Sequence, residues 1–384
     1  MNNKIAIVLF ARFPTEMAYG NHLIQIAKSF AKNDFIVNVY YPKTYNSKTI
    51  FENLRKYYQV DNNIQFKEIK NIDVTSYKLY QTLPDLLQKI IYSASTFFWS
   101  LKIKNYLDDE DYVWSTNPNI LLTINKLFKV GIYEKHGEAK YIQKYSISKL
   151  KKKSNLHLIA LTKKSLEELN GSLNEPIYLP NGFDNSLFYP SQKNNDILTI
   201  GFVGLLETYG VDKGVLNSVE EIVKINKNQK TLTIIHGGPD KKLKEINDLI
   251  NKSEQEEYFR INGLVPHNKV SEIIRSLDIG IVPYPNNRHM GLYASPLKIF
   301  ELAACGVPVL ASNVHSHLEL KEFNLGIHYF QHGDFDDFRM KLLDLINDSG
   351  LRESLRKQSI ENIQSLNWLS RTKKIIESVR SSIG

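Results

Sequence analysis

The sequence contains almost no cysteine and no long hydrophobic run. A single cysteine, Cys305, among 384 residues excludes a disulfide bond within the chain, and a reducing cytoplasm is the simplest setting. No stretch reaches the roughly eighteen consecutive apolar residues that a membrane-spanning helix requires. The apolar run from Lys4 to Ala11 is too short for a signal peptide and is followed at once by Arg12, so we interpret it as a buried strand.

The longest apolar candidate lies between Ile90 and Ile103. Its apolar side chains recur at helical spacing, and most stripes of this kind face a protein core. The stripe consists of Ile90, Ala94, Phe97 and Leu101, with Ile91 and Phe98 beside it. A core helix is therefore predicted here.

The motifs of nucleic-acid-binding proteins are also missing. There is no Cys/His zinc finger, and aromatic residues do not alternate with basic ones as they do in an RNA-binding strand. The formal net charge of +8 nevertheless indicates an attraction to anions. Lysines are dense between Lys144 and Lys164, where a solvated helix face is the default interpretation. The sharper alternative is a patch for an anionic membrane surface or a lipid-phosphate acceptor.

The acidic cluster Asp108–Asp111 lacks the pattern of a metal-binding pair. Such pairs end a strand, whereas this cluster precedes the apolar segment that begins at Tyr112. We predict a solvated turn at this point and no metal site in the protein.

The order of predicted elements indicates two α/β domains. A chain of 384 residues is too long for one ordinary core, and its 42% apolar and 23% charged residues are typical of a soluble globular protein. Strands and helices alternate on both sides of a cluster of turn formers, Pro180-Asn-Gly-Phe-Asp184. We predict one doubly wound domain over residues 1–190, a second over residues 191–365, and a C-terminal helix over residues 366–384.

The stretch from Tyr293 to Ser312 combines a helix start, a short helix and a strand. Ser295 is a good N-cap, and Pro296 suits the first helical position, where its missing N–H is no loss. Gly306 can take the left-handed conformation that ends a helix. The apolar residues that follow predict a buried parallel strand.

The start of this short helix is suited to an anion. Its unpaired N–H groups lie beside Ser295 and Lys298, and Glu301 lies one turn further along the same side. A carboxylate there could accept hydrogen bonds from a ribose diol while the helix start holds phosphates. A capped helix with a Lys/Glu pair is an equally good interpretation of these residues alone.

Other strand ends in the second half of the chain carry glycine-rich turns. The loop Glu207–Gly214 precedes a predicted helix, and its Lys213 is a compact cation suited to a diphosphate. Turns also follow the strands that begin near Leu232 and Phe259. In a doubly wound sheet, loops of this kind hold the ligand.

Two segments resemble the retaining family 4 glycosyltransferases, also described as glycosyl transferases group 1. Ser295-Pro-Leu-Lys-Ile-Phe-Glu301 and the residues up to Ser312 are similar to the donor-binding segment of that family. Asn181-Gly-Phe-Asp184 resembles the segment with which the family leaves its first domain. The resemblance implies the GT-B fold, in which two Rossmann-like domains face each other across a cleft and the last helix crosses back to the first domain.

The resemblance implies a set of donor-binding residues in the second domain. Lys213 matches a lysine at the diphosphate, and Glu301 matches a glutamate that binds the ribose. The implied donor-binding residues are Gly204, Lys213, Gly237, Val265, Arg288, Tyr293, Ala294, Ser295, Pro296, Leu297, Lys298 and Glu301.

Two positions depart from the family pattern. Tyr293 stands where the family usually has a glutamate that contacts the sugar, and Leu205 stands where it usually has an arginine. Lys298 or Arg288 could supply the missing positive charge.

In the first domain the resemblance is carried by Gly20, His136 and the Asn-Gly pair. Gly20 matches a glycine that approaches the donor diphosphate, and His136 matches a histidine that meets the transferred sugar. With Lys213, His136 is therefore implied to be catalytic. The residues assigned to the acceptor are Arg12, Tyr19, Asn21 and Glu138.

The resemblance implies a retaining, metal-independent hexosyltransferase. Its co-substrate would be a UDP- or GDP-sugar, with no permanently bound cofactor, and its acceptor a glycan, a lipid-linked sugar or a small hydroxyl compound. Same-face attack, in which the departing phosphate takes the acceptor's proton, requires no side-chain nucleophile. The expected setting is synthesis of cell-surface polysaccharide or glycolipid in the cytoplasm, at the inner face of an anionic membrane, with no nucleic-acid partner.

Two alternatives fit the same architecture. One is a nucleotide-sugar epimerase on the same fold. The other is an inactive sugar-nucleotide-binding partner subunit, which the substitutions at Leu205 and Tyr293 make conceivable.

Overall fold

The computed structural model describes residues 3–15, 17–45, 53–107, 112–191, 196–208 and 210–383. The chain divides into two units. The N-terminal unit contains Met1–Pro180 together with Trp368–Gly384, and the C-terminal unit contains Asn181–Asn367. The acidic cluster at residues 108–111, with its predicted turn, lies outside the described residues.

A seven-stranded parallel sheet forms the centre of the N-terminal unit. Its strands are β1 (Lys4–Val8), β2 (Ile36–Pro42), β3 (Ile64–Ile69), β4 (Tyr112–Ser115), β5 (Val130–Lys135), β6 (Leu156–Ala160) and β7 (Ile177–Tyr178). The strand order is β3-β2-β1-β4-β5-β6-β7. The apolar residues Ile5, Ile7 and Val39 are fully buried, as expected for a parallel sheet covered on both faces. The first predicted strand is confirmed.

The helices of this unit connect successive strands. They are α1 (Ala18–Lys32), α2 (Leu54–Tyr58), α3 (Lys78–Thr82), α4 (Asp85–Ile103), α5 (Pro118–Ile124), α6 (Ile142–Leu150) and α7 (Lys163–Leu169). α4, α5 and α6 share one hydrophobic core with the sheet, to which they contribute Trp99, Ile120 and Ile147. Of the helices in the described ranges, none has both the length and the apolar content needed to cross a bilayer.

The apolar stripe of α4 points away from the core, so the prediction that this stripe is buried is wrong. Ile90, Phe97 and Leu101 are all exposed. The opposite side of α4 is the buried one, and it presents Trp99 and Ile103 to the core. Its hydroxyl groups are accommodated because they donate to carbonyls of the helix itself, for example Thr96 Oγ1 to Tyr92 O at 2.8 Å.

The C-terminal unit has a six-stranded parallel sheet and a small antiparallel hairpin. Its strands are β8 (Thr199–Leu205), β9 (Glu207–Thr208), β10 (Val211–Asp212), β11 (Leu232–Gly238), β12 (Phe259–Asn262), β13 (Ile279–Val282), β14 (Val309–Ser312) and β15 (Ile327–Phe330). The sheet order is β12-β11-β8-β13-β14-β15, and β9 pairs with β10. Phe183 and Phe188 belong to the hydrophobic core of this unit.

The remaining helices complete the two units. Those of the C-terminal unit are α8 (Val215–Asn226), α9 (Asp240–Ser253), α10 (His267–Ser276), α11 (Arg288–Leu292), α12 (Leu297–Ala304), α13 (His315–Leu318), α14 (Phe335–Asn347) and α15 (Ser349–Asn362). Short 3-10 helices lie at Val74–Ser76, Glu256–Tyr258, Glu319–Phe323 and Ile363–Leu366. The last helix, α16 (Trp368–Ile383), belongs to the N-terminal unit.

Candidate functional site

Two glycines shape the carboxyl ends of the neighbouring strands β8 and β11. A Cβ atom on Gly237 would lie 2.4 Å from the carbonyl oxygen of Gly204, so only glycine allows this approach. Gly204 has a φ of +144°, and a Cβ there would point at Lys298, 3.5 Å from its Cε. The strand end next to Lys298 is therefore lined by backbone rather than by side chains.

The β9–β10 hairpin positions Lys213 at the start of α8. The Lys213 N–H donates to Leu206 O at 2.9 Å, and the Gly214 N–H donates to Asp212 Oδ1 at 2.7 Å. Lys213 Nζ lies 5.1 Å from the centre of the Tyr284 ring, in cation–π contact. The lysine is thus held at a helix start inside the unit.

Positive charge accumulates around Lys213. Burial, together with the nearby Lys298, lowers the pKa of Lys213 to about 8. Burial and Lys213 also lower the pKa of His289. Within the part of the chain that the structure describes, Lys213 makes no ion pair, whereas Lys298 Nζ lies 2.5 Å from Glu301 Oε2. A bound anion would relieve the repulsion between the two lysines.

Glu301 lies almost completely buried one turn inside α12. Burial and the Glu301 carboxylate raise the pKa of Tyr284 above its ordinary value, which places the tyrosine near this carboxylate. Because Tyr284 also contacts Lys213, these residues and Lys298 form one cluster. We call Lys213, Tyr284, Lys298 and Glu301 the lysine cluster.

The start of α12 differs from the prediction. The helix begins at Leu297, and Pro296 occupies the N-cap position in an extended conformation. Ser295 does not cap the helix, because its hydroxyl accepts a hydrogen bond from the Asn181 N–H at 2.9 Å. The Asn181 side-chain amide in turn donates to Ser295 O at 2.7 Å. The predicted helix end is confirmed, since Gly306 follows the helix with a φ of +66°.

The other predicted donor residues lie at the ends of elements in the same unit. Arg288 begins α11, Tyr293 follows α11 with its side chain buried, and Ala294 precedes Ser295. Val265 follows β12, the strand next to β11, and packs partly buried against the core. The structure therefore brings Lys213, Lys298 and Glu301 into one cluster, with Gly204 and Gly237 at the adjacent strand ends.

A second cluster forms in the N-terminal unit around the buried carboxylate of Glu134, on β5. His22 Nε2, from α1, and His136 Nε2, from the loop after β5, each lie 2.8 Å from Glu134 Oε1. Arg371 Nη1, from α16, lies 3.0 Å from Glu134 Oε2. Three distant parts of the sequence thus meet at one carboxylate, which we call the Glu134 cluster.

The charges in the Glu134 cluster offset one another. Burial alone would raise the pKa of Glu134, but Arg371, His22 and His136 hold that pKa well below its ordinary value. Burial lowers the pKa of His22 to about 4 despite the neighbouring carboxylate. Glu134 and the two histidines have the donor atoms of a metal site and lie within 4.8 Å of one another. Because Arg371 already neutralises the carboxylate, we interpret the cluster as a buried network held by charge, in which His136 and Arg371 also hydrogen-bond to Glu134.

Of the predicted acceptor residues, Arg12 and Glu138 lie in loops, whereas Tyr19 and Asn21 lie in the first turn of α1. Tyr19 Oη donates to Arg12 O at 2.9 Å, which folds the loop after β1 onto the start of α1. Asn21 follows on α1, and Glu138 lies in the loop after β5. These residues border the elements that carry His22 and His136.

Gly20 lies in the first turn of α1, which begins at Ala18. A Cβ atom on Gly20 would lie 2.5 Å from Thr15 Cγ2 and 2.8 Å from Tyr58 Oη. Close packing within the unit is therefore sufficient to explain this glycine.

Sequence reasoning missed His22, His289 and Arg371. His22 is embedded in a helix whose apolar pattern dominates, and Arg371 is 237 positions away from its partner Glu134. His289 could have been found, because it adjoins Arg288 in the segment that precedes the donor segment.

Comparison with known families finds a match within the C-terminal unit. Residues 198–348 match the family model described as glycosyl transferases group 1. This segment contains the whole lysine cluster and both strand-end glycines, so these candidate residues all lie in the part of the chain that is similar to the group 1 domain. No curated protein matches the chain significantly.

Solved structures extend the similarity beyond the group 1 domain. Sucrose-phosphate synthase from Thermosynechococcus elongatus is 16% identical with a TM-score of 0.70, over 99% of each chain. Anabaena HepE, in complex with UDP and glucose, is 15% identical with a TM-score of 0.67, over 99% of this chain and 100% of that one. A variant of S. aureus TarM, in complex with fondaparinux, α-GlcNAc-glycerol and UDP, is 12% identical with a TM-score of 0.73. The match covers 98% of this chain and 99% of that one. The predicted GT-B fold of two Rossmann-like domains is confirmed.

Proposed function

We propose that this chain is a retaining, metal-independent family 4 hexosyltransferase that uses a nucleotide-diphosphate sugar. The observation that carries the proposal is the lysine cluster inside the segment that is similar to the group 1 domain. Lys213 and Lys298 approach closely enough to lower the pKa of Lys213, and Glu301 is buried beside them. These groups match the chemistry of a nucleoside diphosphate. The two lysines would pair with the phosphate charges, and the Glu301 carboxylate would accept hydrogen bonds from the ribose diol.

The lysine cluster would stabilise the leaving group. Cleavage of the sugar–phosphate bond leaves a negative charge on the diphosphate, which fixed cations in a buried site stabilise without reorganisation. Lys213 and Lys298 supply that charge. In the retaining mechanism proposed here, the departing phosphate oxygen accepts the proton of the attacking hydroxyl, and the new bond forms on the same face of the sugar.

The proposed donor is UDP-glucose or a related UDP- or GDP-sugar. HepE structures contain UDP-glucose, UDP and glucose, which supports a uridine donor as the first choice. The proposed donor contacts also include Arg288 and the segment from Tyr293 to Leu297. Gly20 would approach the donor diphosphate as the family glycine does.

The proposed acceptor is a hydroxyl of a glycan or a lipid-linked sugar, in cell-surface polysaccharide or glycolipid synthesis at the cytoplasmic face of a membrane. His136 would serve in the reaction, oriented by Glu134. Arg12, Tyr19, Asn21 and Glu138 would contact the acceptor. The TarM complex, with its glycan and glycerol-linked ligands, supports an acceptor of this class.

A donor screen tests the proposal. The protein is incubated with UDP- and GDP-sugars, and free nucleotide and sugar products are measured. We expect slow release of the nucleotide from one donor, because water substitutes for the acceptor. Lys213→Met should weaken UDP binding by about tenfold to a hundredfold, the usual value of a hydrogen bond to a charged group. Lys227→Met, an exposed lysine at the other end of α8, is the matched control and should bind UDP like the wild type.

The same screen separates the alternatives. Interconversion of two nucleotide sugars would identify an epimerase, and tight binding without turnover would identify an inactive binding subunit. No binding of any nucleotide sugar would refute the proposal. The match to the group 1 family model favours neither alternative.

A further inference from the structure

The outer side of α4 exposes a continuous stripe of large apolar side chains. Its members are Leu86, Leu87, Ile90, Phe97, Phe98 and Leu101, each more than one third exposed. Phe98 is 64% exposed, and its ring lies 5.7 Å from that of Phe97. We call these six residues the α4 face. Monomeric soluble proteins rarely expose apolar patches of this kind unless the patch binds something.

The α4 face is exposed because the other side of the helix is fixed. Trp99 and Ile103 are buried in the core of the N-terminal unit. Tyr92 Oη donates to Phe10 O at 2.8 Å, and the ring of Phe10 packs 5.2 Å from that of Trp99. Turning the α4 face inward would break these contacts. These contacts therefore fix the orientation of α4, with the α4 face directed toward solvent.

The start of α6 extends the apolar surface. Tyr141, Ile142 and Tyr145 are exposed there. Lys89 Nζ, on α4, lies 5.8 Å from the centre of the Tyr141 ring, so α4 and the start of α6 are neighbours. Tyrosine combines an apolar ring with a polar tip, which suits the boundary between an apolar phase and water.

Lysines lie beside this surface. Between Ala139 and Leu166 the chain has no acidic residue. Its lysines in that interval are Lys140, Lys144, Lys149, Lys151, Lys152, Lys153, Lys163 and Lys164. Lys149 Nζ lies 5.2 Å from the Tyr145 ring, so a cation borders the exposed aromatic residues directly. On α4 the one carboxylate, Asp85, is paired with Lys89.

We propose that the α4 face and the start of α6 dock on an anionic lipid bilayer. Apolar side chains would enter the acyl region while lysines reach the phosphate layer, the two contributions that together give stable peripheral binding. Charge complementarity favours a lipid surface over a protein partner, because lysines beside a large apolar stripe match a layer of phosphates next to an apolar phase. That the docked protein would reach a lipid-linked acceptor rests on the proposed function; the docking itself does not.

Vesicle co-sedimentation of the full chain tests the proposal. The probes are vesicles of phosphatidylcholine alone and of phosphatidylcholine with about one third phosphatidylglycerol, at low and high salt. We expect binding to the anionic vesicles, reduced by salt and much weaker on neutral ones. Phe97→Ser/Phe98→Ser should weaken the binding by about tenfold or more, since two large apolar side chains no longer enter the bilayer.

Matched variants distinguish the effect of changing the α4 face or the α6 lysines from the effect of changing any exposed residue. Met340→Ser removes an equally exposed apolar side chain from α14 and should bind vesicles like the wild type. Lys144→Glu/Lys149→Glu should weaken anionic binding by about tenfold or more. Lys357→Glu, on α15, should have little effect. UDP binding of every variant should match the wild type, so a failure of docking is distinguishable from a failure of the proposed function.

Three results would overturn the proposal. One is a wild-type protein that does not bind anionic vesicles. The second is vesicle binding that the Phe97→Ser/Phe98→Ser variant retains in full. The third is a wild-type dimer in light scattering that this variant converts to a monomer, because the α4 face would then be an interface between two copies of the chain.

Discussion

At the scale of single residues, the most informative group is Lys213. Its pKa is lowered to about 8 by burial and by Lys298, so a fraction of this lysine is neutral slightly above physiological pH. A bound diphosphate would favour the charged form and raise the pKa again. Binding of the nucleotide and protonation of Lys213 are therefore coupled.

This coupling predicts a pH dependence for nucleotide binding. As the pH rises from 7 to 9, free Lys213 loses its proton, and a proton must be taken up for UDP to bind. The affinity should fall above about pH 8 and approach a tenfold loss per pH unit. Calorimetric titration with UDP at several pH values measures this change in affinity. Lys213→Met should show weaker binding with little change across this range.

A second lysine variant serves as the control for the pH dependence of UDP binding. Lys227→Met keeps Lys213 and should reproduce the wild-type profile. A wild-type affinity that is flat between pH 7 and 9, or a Lys213→Met variant with the same slope as the wild type, would exclude this lysine as the phosphate ligand.

The grouping of candidate residues was predictable from the sequence where a local motif carried it. Lys213, Lys298 and Glu301 stand out because glycine turns and a helix start accompany them, and the structure places them together. The capping role of Ser295 was predicted wrongly, because its hydroxyl is engaged by Asn181, 114 positions away. Local sequence offers no information about such a partner.

At the scale of elements, Glu134 joins three segments of the N-terminal unit. It lies on β5 and contacts His22 of α1, His136 of the following loop and Arg371 of α16. Arg371 Nε also donates a hydrogen bond to Pro180 O at 2.7 Å. This bond connects α16 to the last residue of the Met1–Pro180 part of the N-terminal unit. The C-terminal helix is therefore held by a buried ion pair.

Replacing this carboxylate should loosen the N-terminal unit. Glu134→Gln keeps the shape but leaves the Arg371 charge buried without a counter-ion, which costs about 3–5 kcal/mol. Urea unfolding followed by tryptophan fluorescence measures the loss, because Trp99, Trp114 and Trp368 all lie in this unit.

An exposed ion pair supplies the control for Glu134. Glu167 pairs with Lys164 on the surface of α7, and Glu167→Gln should cost less than about 1 kcal/mol. Equal losses for the two variants would mean that the Glu134 cluster is no more important to stability than a surface pair.

Helix faces show why element type is easier to predict than orientation. The 3.6-residue pattern correctly indicates a helix around Ile90–Ile103, but it does not say which side meets the sheet. In α4 the side with Trp99 and Ile103 packs against the core, although this side also carries the polar residues Thr96 and Ser100. Their hydroxyls cost little to bury because the helix carbonyls accept them.

At the scale of the whole molecule, each unit contains a histidine whose pKa is lowered far below its ordinary value by burial. Burial lowers the pKa of His22 in the N-terminal unit and of His317 in the C-terminal unit to about 4. The ordinary value for histidine is near 6.5. Between these two values the unfolded chain binds protons that the folded chain does not.

Both units should therefore lose stability as the pH falls from about 6.5 to 4. Each histidine contributes a loss on the order of 3 kcal/mol when the shift is complete. For the N-terminal unit, thermal unfolding followed by tryptophan fluorescence at several pH values shows the effect. His22→Gln should be less stable at pH 7 but should depend less on pH, because it removes the titrating group.

His317→Gln provides the comparison for this experiment. Because all three tryptophans lie in the N-terminal unit, its tryptophan signal should keep the wild-type pH dependence, while far-UV circular dichroism reports the change in the C-terminal unit. A pH dependence of the tryptophan transition that His22→Gln leaves unchanged would contradict the assignment.

The sequence by itself determined the alternation of strands and helices, the presence of two α/β domains and the glycine that ends α12, whereas the GT-B fold was implied by a resemblance to a known family. The first three features depend on periodicity and turn chemistry, which act over a few neighbouring residues. Only the tertiary structure decided that Asn181 holds Ser295, that Glu134 pairs with Arg371 and that α4 turns its apolar stripe outward. Each of these depends on which distant surfaces pack together, and that choice minimises the free energy of the whole unit rather than of any one segment.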